Sequence, residues 1–314
     1  TFDSERSINL YPELAGPGAH ARGGIYLVGT PGLRLFTTLP SGPVRAIWAG
    51  DNRLFAVGGA KLYEVFSKGT TQLIGDCEDA PTPAQIFANE NQLFVVSNTK
   101  GFITDGTRPA GDQLVYVVDA VTGGYIDGYF VAQTPNSNRW RISDLFDGST
   151  WDPLNFAIKA GGSDRLAAVY CDHEEVWLIG FRTTEVWNNT GAANFPFQKN
   201  QSAFIEQGCT APYSVAKLDN SLFWLCGDDR GAGVVWKLQG YTPQRVSNHA
   251  VEFAIQKVGE LAQAPFEAGS EFQLLDLRLN RLNFNEVAGQ TLGLASAQKI
   301  ATEATKDQLQ WILK

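Results

Sequence analysis

A repeated pair of strands constrains this chain more than any other feature of its sequence. An apolar strand, a turn rich in Asp and Asn, and a strand centred on an aromatic residue recur at residues 46–57, 84–96, 166–179 and 213–225, with a weaker copy at 128–132. The aromatic centres are Phe55, Phe94, Phe130, Trp177 and Phe223. They follow one another at roughly 35 to 50 residues, the period of a propeller blade built from four short strands.

Each repeated pair leads into a further strand, at residues 60–65, 101–105, 184–187 and 233–238. One such sheet cannot bury both of its faces alone, whereas sheets stacked around an axis bury both and leave only short edges. Stacking also explains the apolar runs in the central strands. We therefore predict an all-β fold, a β-propeller with blades of short antiparallel strands; a β-sandwich is the alternative.

The composition fits this fold and argues against several classes of function. The 32 Gly and the 44 % of hydrophobic residues suit short strands joined by tight turns. A formal net charge of -8 argues against specific nucleic-acid binding, which needs clustered Lys and Arg. The four cysteines lie far apart without a C-x-x-C or His-rich spacing, so we predict buried free thiols and neither a metal nor a cofactor.

The character of the sequence changes after Gln256. Residues 272–284 alternate like a strand, and a helix is predicted from Ser296 as N-cap, with Trp311 on it. We predict a propeller over residues 1–256 and a C-terminal segment over 257–314, a strand followed by a helix that docks on a neighbour or packs on its own domain. Without a signal peptide or a membrane span, a soluble protein made in a cytoplasm is expected.

No constellation of residues predicts catalysis, so we expect a protein that is not an enzyme and has no catalytic, cofactor-binding or metal residues. The three histidines lack a nucleophile elbow, and the polar cluster at 171–175 falls where the repeat places a hairpin turn. Residues 143–151 resemble the Asp-box of sialidase-type propellers, one residue short. Such a motif is a structural turn in which the carboxylate caps backbone N–H groups and the Trp packs below.

Residues 152–255 resemble a known family, the packaged-DNA stabilisation proteins, or tail accessory factors, of short-tailed bacteriophages. Residues 9–13 and 29–33 also look like the opening of that family. The matching stretches within the main block are Gly180 with Thr183–Trp187, Asn189–Ala192, Phe195–Phe197, Ile205–Cys209, Phe223–Leu225, Asp229–Gly231, Gly240–Pro243, Arg245–Ser247 and His249–Glu252.

The resemblance implies a structural protein of the virion tail, assembled in the bacterial host cytoplasm. Such a tail-hub subunit docks below the portal and adaptor rings, joins copies of itself in a ring and helps to retain packaged DNA. No membrane partner is implied. The alternatives are a carbohydrate-active propeller, which needs two converging carboxylates and an aromatic platform on the axis, and a glycan- or receptor-binding tail module without hydrolysis.

Two aromatic residues held by a proline, Phe195, Pro196 and Phe197, make a possible partner interface, as does Trp311. The alternative for the Phe-Pro-Phe loop is a hydrophobic plug under its blade. Within the matched block, Glu185, Trp187, Glu206, Arg230 and His249 are also candidates for partner contact, but packing and strand-end salt bridges explain most such residues in propellers.

Overall fold

The computed structural model describes residues 10–14, 25–29, 34–105, 114–193, 195–218, 220–227, 233–249, 251–253 and 255. The chain divides into two compact units, Thr1–Thr38 with Gln290–Lys314, and Leu39–Gly289. The first unit contains an antiparallel hairpin of β1 (Leu10–Leu14) and β2 (Ile25–Gly29). The predicted boundary at 256, the strand at 272–284 and the helix from Ser296 lie outside the described residues.

Within the described residues, the second unit contains five four-stranded antiparallel sheets, which we call blades 1 to 5 in chain order. Blade 1 comprises β3 (Val44–Gly50), β4 (Arg53–Gly58), β5 (Lys61–Val65) and β6 (Thr71–Asp76), and blade 2 comprises β7 (Gln85–Ala88), β8 (Leu93–Ser97), β9 (Lys100–Thr104) and β10 (Val115–Asp119). Blade 3 comprises β11 (Gly123–Ile126), β12 (Tyr129–Gln133), β13 (Arg139–Ile142) and β14 (Phe156–Ile158). Blade 4 comprises β15 (Leu166–Asp172), β16 (Glu175–Gly180), β17 (Thr184–Asn189) and β18 (Phe197–Ile205), and blade 5 comprises β19 (Ala216–Leu218), β20 (Ser221–Gly227), β21 (Gly233–Gln239) and β22 (Thr242–Arg245).

The blades form a β-propeller, in which the first strands of blades 1 to 4 lie side by side. Strand β3 lies beside β7, β7 beside β11, and β11 beside β15. A 3-10 helix, Pro212–Ser214, precedes blade 5 and contacts β15 and β20. The predicted strand at 213–215 is therefore wrong. Pro212 opens the helical turn, and the Ser214 hydroxyl accepts a hydrogen bond from the Leu225 N–H at 2.9 Å.

A buried arginine ties blade 1 to the connection that leads into blade 2. The Arg45 side chain leaves the start of β3 and donates to three backbone carbonyls, those of Thr82 at 2.9 Å, Gly59 at 2.8 Å and Glu78 at 2.7 Å. Burial raises the pKa of Tyr213, just before blade 5, whereas a hydrogen bond with Thr82 and the charge of Arg45 oppose that rise.

Two-residue turns with positive φ connect the first two strands of several blades. Asp51 and Asn52 have φ of +49° and +59°, and His173 and Glu174 have +48° and +63°. Positive φ at both central residues is the type I′ geometry that matches strand twist, and Asn and Asp tolerate it best after Gly. The hairpin turn predicted within residues 171–175 is therefore confirmed.

The apolar cores lie between consecutive blades, and each aromatic centre of the repeat lies on the second strand of its blade with at most 8 % exposure. Strand β8 shows why its sequence is continuously apolar. Phe94 packs into the core that blade 2 shares with blade 3, whereas Leu93 and Val95 pack into the core shared with blade 1. Both faces of the strand are buried, which confirms the explanation of the apolar runs.

Replacing Phe94 with Ala should destabilise the propeller strongly. The ring is fully buried and contacts Phe130 and Trp151 of blade 3, with centroid distances of 5.5 and 5.4 Å. We expect the free energy of unfolding, measured by urea denaturation, to fall by about 3–5 kcal/mol. Val115→Ala on the outermost strand of the same blade, where the side chain is 59 % exposed, is the control and should change it little. Equal losses would show that the core is not where stability resides.

Candidate interaction site

The loop between β13 and β14, residues 143–155, contains the Asp-box-like turn, and we call it the clasp loop. Asp147 Oδ1 accepts hydrogen bonds from the Ser149 hydroxyl at 2.6 Å and the Ser149 N–H at 2.9 Å. Its Oδ2 accepts one from the Thr150 hydroxyl at 3.1 Å. Because these bonds favour the charged form, led by those from Ser149, they lower the pKa of Asp147 to about 2.

The tryptophan of the same turn packs inward. Trp151 Nε1 donates to the Gly148 carbonyl at 2.8 Å, and its ring lies 5.4 Å from the ring of Phe94 in blade 2. A capping carboxylate and a packed Trp are the roles that the sequence predicts for this turn, and the geometry confirms both. The turn therefore shapes a loop, and its carboxylate is occupied by that task.

A glutamine from blade 2 joins the clasp loop across the gap between blades. Gln92 Nε2 donates to Asp147 Oδ1 at 3.2 Å, and Gln92 Oε1 accepts from the Gly148 N–H at 2.8 Å. Asn89 Oδ1 accepts a hydrogen bond from the Gln92 N–H at 2.6 Å and so holds the backbone at Gln92. Sequence reasoning missed Gln92, because a single amide belongs to no motif; the Asn three residues earlier, which forms the turn, is the only local signal.

The Phe-Pro-Phe loop has the geometry of the predicted plug. Phe197 is 2 % exposed and its ring lies 5.5 Å from that of Trp140, in the core between blades 3 and 4. Phe195 is half-buried, 5.4 Å from Trp140, and the Pro196 carbonyl accepts the Thr190 N–H at 2.7 Å. The structure thus turns two of the three residues of this loop, Pro196 and Phe197, inward. Trp311 lies outside the described residues.

A buried ionic network fixes the connection into blade 4. Lys159 Nζ is fully buried and donates to Asp164 Oδ1 and the Thr183 hydroxyl, each at 2.6 Å. Burial of Asp164 acts to raise its pKa, but the hydrogen bonds from Lys159, Arg182 and Thr183 hold that pKa well below its usual range. A buried charge is tolerated when it is paired in this way. The Gly161-Gly162 pair therefore lies in a structural loop.

A cavity of about 160 Å³ opens between the turns of blades 1 and 2. Its walls include Trp48, Asp51, Arg53 and Glu90. Most of its lining comes from the first two strands of each of these blades and from the turns that join them. In the part of the chain that the structure describes, no group of three or more His, Cys, Asp or Glu side chains could hold a metal ion.

The cysteines are free and shielded. Cys209 and Cys226 are buried and Cys77 and Cys171 half-buried, and none is in a disulfide. Burial raises the pKa of Cys209 to about 12, so its thiol stays protonated at neutral pH. This agrees with the predicted free thiols. None of the helices in the described residues has the length and apolar character needed to cross a membrane.

Comparison with known proteins decides the family. A family model for phage stabilisation, described as bacteriophage P22 Gp10, β-propeller, matches residues 2–311. The chain belongs to this phage-stabilisation family. The resemblance seen in the sequence is thereby confirmed, as is the β-propeller fold, and the family assigns the chain a structural role in a phage particle.

Other comparisons add nothing about the function of this phage-stabilisation protein. No curated protein matches it. Among solved structures, a chain of a mitotic checkpoint complex has a TM-score of 0.46 at 12 % identity, covering 72 % of this chain and 68 % of that one. The extracellular domain of the putative hybrid two-component system BT4673 from B. thetaiotaomicron has a TM-score of 0.45 at 11 % identity. That match covers 70 % of this chain and 32 % of that one. Apo AztD from Citrobacter koseri has a TM-score of 0.37 at 11 % sequence identity, and the match covers 65 % of this chain and 62 % of that one.

Several residues that carry the family resemblance have structural partners. Glu185 is fully buried and accepts from the Gly161 N–H and from Lys199 Nζ, the latter at 3.0 Å, and Trp187 Nε1 donates to it at 3.3 Å. Glu206 is exposed, and so is His249, whose ring nitrogen lies 3.5 Å from Glu252. Arg230 lies outside the described residues. For Glu206 and His249, contact with a partner stays a prediction.

Neutralising Asp147 should lower the free energy of unfolding of this phage-stabilisation protein, by an amount that depends on pH. The pKa of this carboxyl is about 2 in the folded chain and about 3.9 in an unfolded one. Because the pKa is lower in the folded chain, the contribution of the ionised Asp147 to folding stability is complete above about pH 4 and is lost as the pH falls through 2. We expect Asp147→Asn to lower the free energy of unfolding by about 1–2 kcal/mol at pH 7.

Urea denaturation at several pH values measures this effect. The difference in the free energy of unfolding between the unaltered chain and Asp147→Asn should shrink between pH 4 and pH 2, because the unaltered chain then loses the same charge. Glu206→Gln removes an exposed carboxylate and is the control, with little change at any pH. A deficit that stayed constant down to pH 2 would contradict the role assigned to the ionised Asp147.

Proposed function

We propose that this protein is a tail-hub, or head-completion, subunit that docks below the portal and adaptor rings of a phage particle and helps to retain the packaged DNA. The observation that carries the proposal is the match of the phage-stabilisation family model to residues 2–311. In this proposal the chain joins copies of itself in a ring, and assembly takes place in the bacterial host cytoplasm before the virion tail is complete.

The physical character of the chain supports a structural role beside DNA. The net charge of -8 disfavours adhesion to phosphate, so a conduit lined by this protein would let DNA pass. Consecutive blades share apolar cores, which makes a stiff body and suits a plug or platform. We propose that the protein works by assembly and not by catalysis.

Particles made without this protein test the proposal. We expect them to package DNA and then lose it, so that electron micrographs show heads that are mostly empty. Adding the purified chain to freshly filled particles should restore DNA retention, measured as DNA resistant to nuclease. The same chain after heat unfolding is the control and should restore nothing. Particles that keep their DNA without the protein would contradict the proposed function.

A further inference from the structure

Three large apolar side chains on the clasp loop face solvent. Leu145, Phe146 and Leu154 are 52 %, 67 % and 80 % exposed. Single exposed apolar residues are normal on protein surfaces, but a group of them in one ordered loop is the usual mark of an interaction site. The Asp-box-like turn explains the polar residues of this loop but not the exposure of these three apolar side chains.

The backbone at Phe146 is held in a conformation that large residues rarely adopt. Its φ is +59°, in the left-handed region. Its N–H donates to the Gly128 carbonyl at 2.7 Å, and its own carbonyl accepts from Asn89 Nδ2 at 3.4 Å. Glycine or asparagine would suit this position better, and burial of the ring does not offset the strain. A strained residue that is kept in an exposed place suggests a role outside the chain's own stability.

Leu145 and Phe146 lie side by side over a glycine. A Cβ on Gly128 would lie 2.7 Å from Leu145 Cδ1 and 2.9 Å from Phe146 Cε1, so both side chains rest on the turn between β11 and β12. We call Leu145 and Phe146 the apolar knob; Leu154 is a third exposed apolar residue on the same loop. The loop that carries the knob is fixed by Gln92 and Asp147, so little conformational entropy would be lost when a partner covers it.

The surroundings of the apolar knob are acidic. Residues 143–155 include Asp144, Asp147 and Asp152 and no Lys or Arg. The two turns that contact this loop add Glu90 and Asp127, both exposed. A partner that covers the knob must bring these carboxylates close to its own surface, and Lys or Arg side chains there would make the contact favourable.

We propose that the apolar knob is a docking anchor that inserts into an apolar pocket, rimmed by Lys and Arg, on a different protein of the phage particle. This inference rests on the proposed function, because it names the surface through which the chain is held in the particle. A second copy of this chain and its own residues 256–314 are the other possible occupants, and the test separates them.

Phe146→Gly is the sharpest variant. Glycine removes the ring and also accepts positive φ without strain, so the variant should melt at the same temperature as the unaltered chain or higher. Binding of the purified chain to particles assembled without it should weaken about 30-fold, the loss typical of an aromatic hot spot. The control is Val115→Gly on the outermost strand β10, which removes an apolar side chain that is also more than half exposed, and its binding should stay within about twofold.

Each outcome supports or overturns the inference. Equal binding by Phe146→Gly and the unaltered chain overturns the inference and leaves the proposed function standing. Failure of the unaltered chain to bind the particles overturns both. With a photo-cross-linking amino acid in place of Leu154, an adduct to a basic segment of another particle protein supports the docking anchor. An adduct to a second copy or to residues 256–314 of the same chain overturns it.

Discussion

The sheets of this protein depend on one another because each has two apolar faces and can bury neither alone. Leu93 and Val95 of β8 pack toward blade 1, and Phe94 between them packs toward blade 3. The same alternation places Trp177 toward blade 5 and Val176 toward blade 3. Removing one blade would expose apolar faces on both of its neighbours. The described blades therefore gain their stability jointly, as expected of a repeat fold.

Apolar packing has no strong directional preference, so directional hydrogen bonds are needed to fix how neighbouring segments meet. The amide of Gln92 fits the Asp147–Gly148 turn with one donor and one acceptor, and this fixes how blades 2 and 3 meet at their turns. At the other end of the sheets, Arg45 binds the carbonyl of Gly59 in blade 1 and those of Glu78 and Thr82 in the connection to blade 2. Loops that are tied down in this way can present side chains to a partner at low entropic cost.

Much of the fold could be read from the sequence, because an aromatic centre in each second strand has both a strong local pattern and a fixed period. The turn at residues 171–175 and the Asp-box-like turn were also predictable, since Asp, Asn and Gly mark turns chemically. The 3-10 helix at Pro212–Ser214 was missed, because Tyr213 and Val215 look like strand residues and the competing hydrogen bond from Leu225 is distant in sequence. Gln92 and the exposure of Phe146 were not predictable either, as both depend on how neighbouring blades meet.

An electron-microscopy structure of the assembled particle tests the central claim most directly. The account predicts that this chain occupies a ring around the tail channel, next to the portal and adaptor rings, with the turns of blade 3 against another particle protein. A particle whose channel is complete without this chain would contradict the account. Finding the chain only at the outer surface of the tail would contradict it as well, and would favour a glycan- or receptor-binding module.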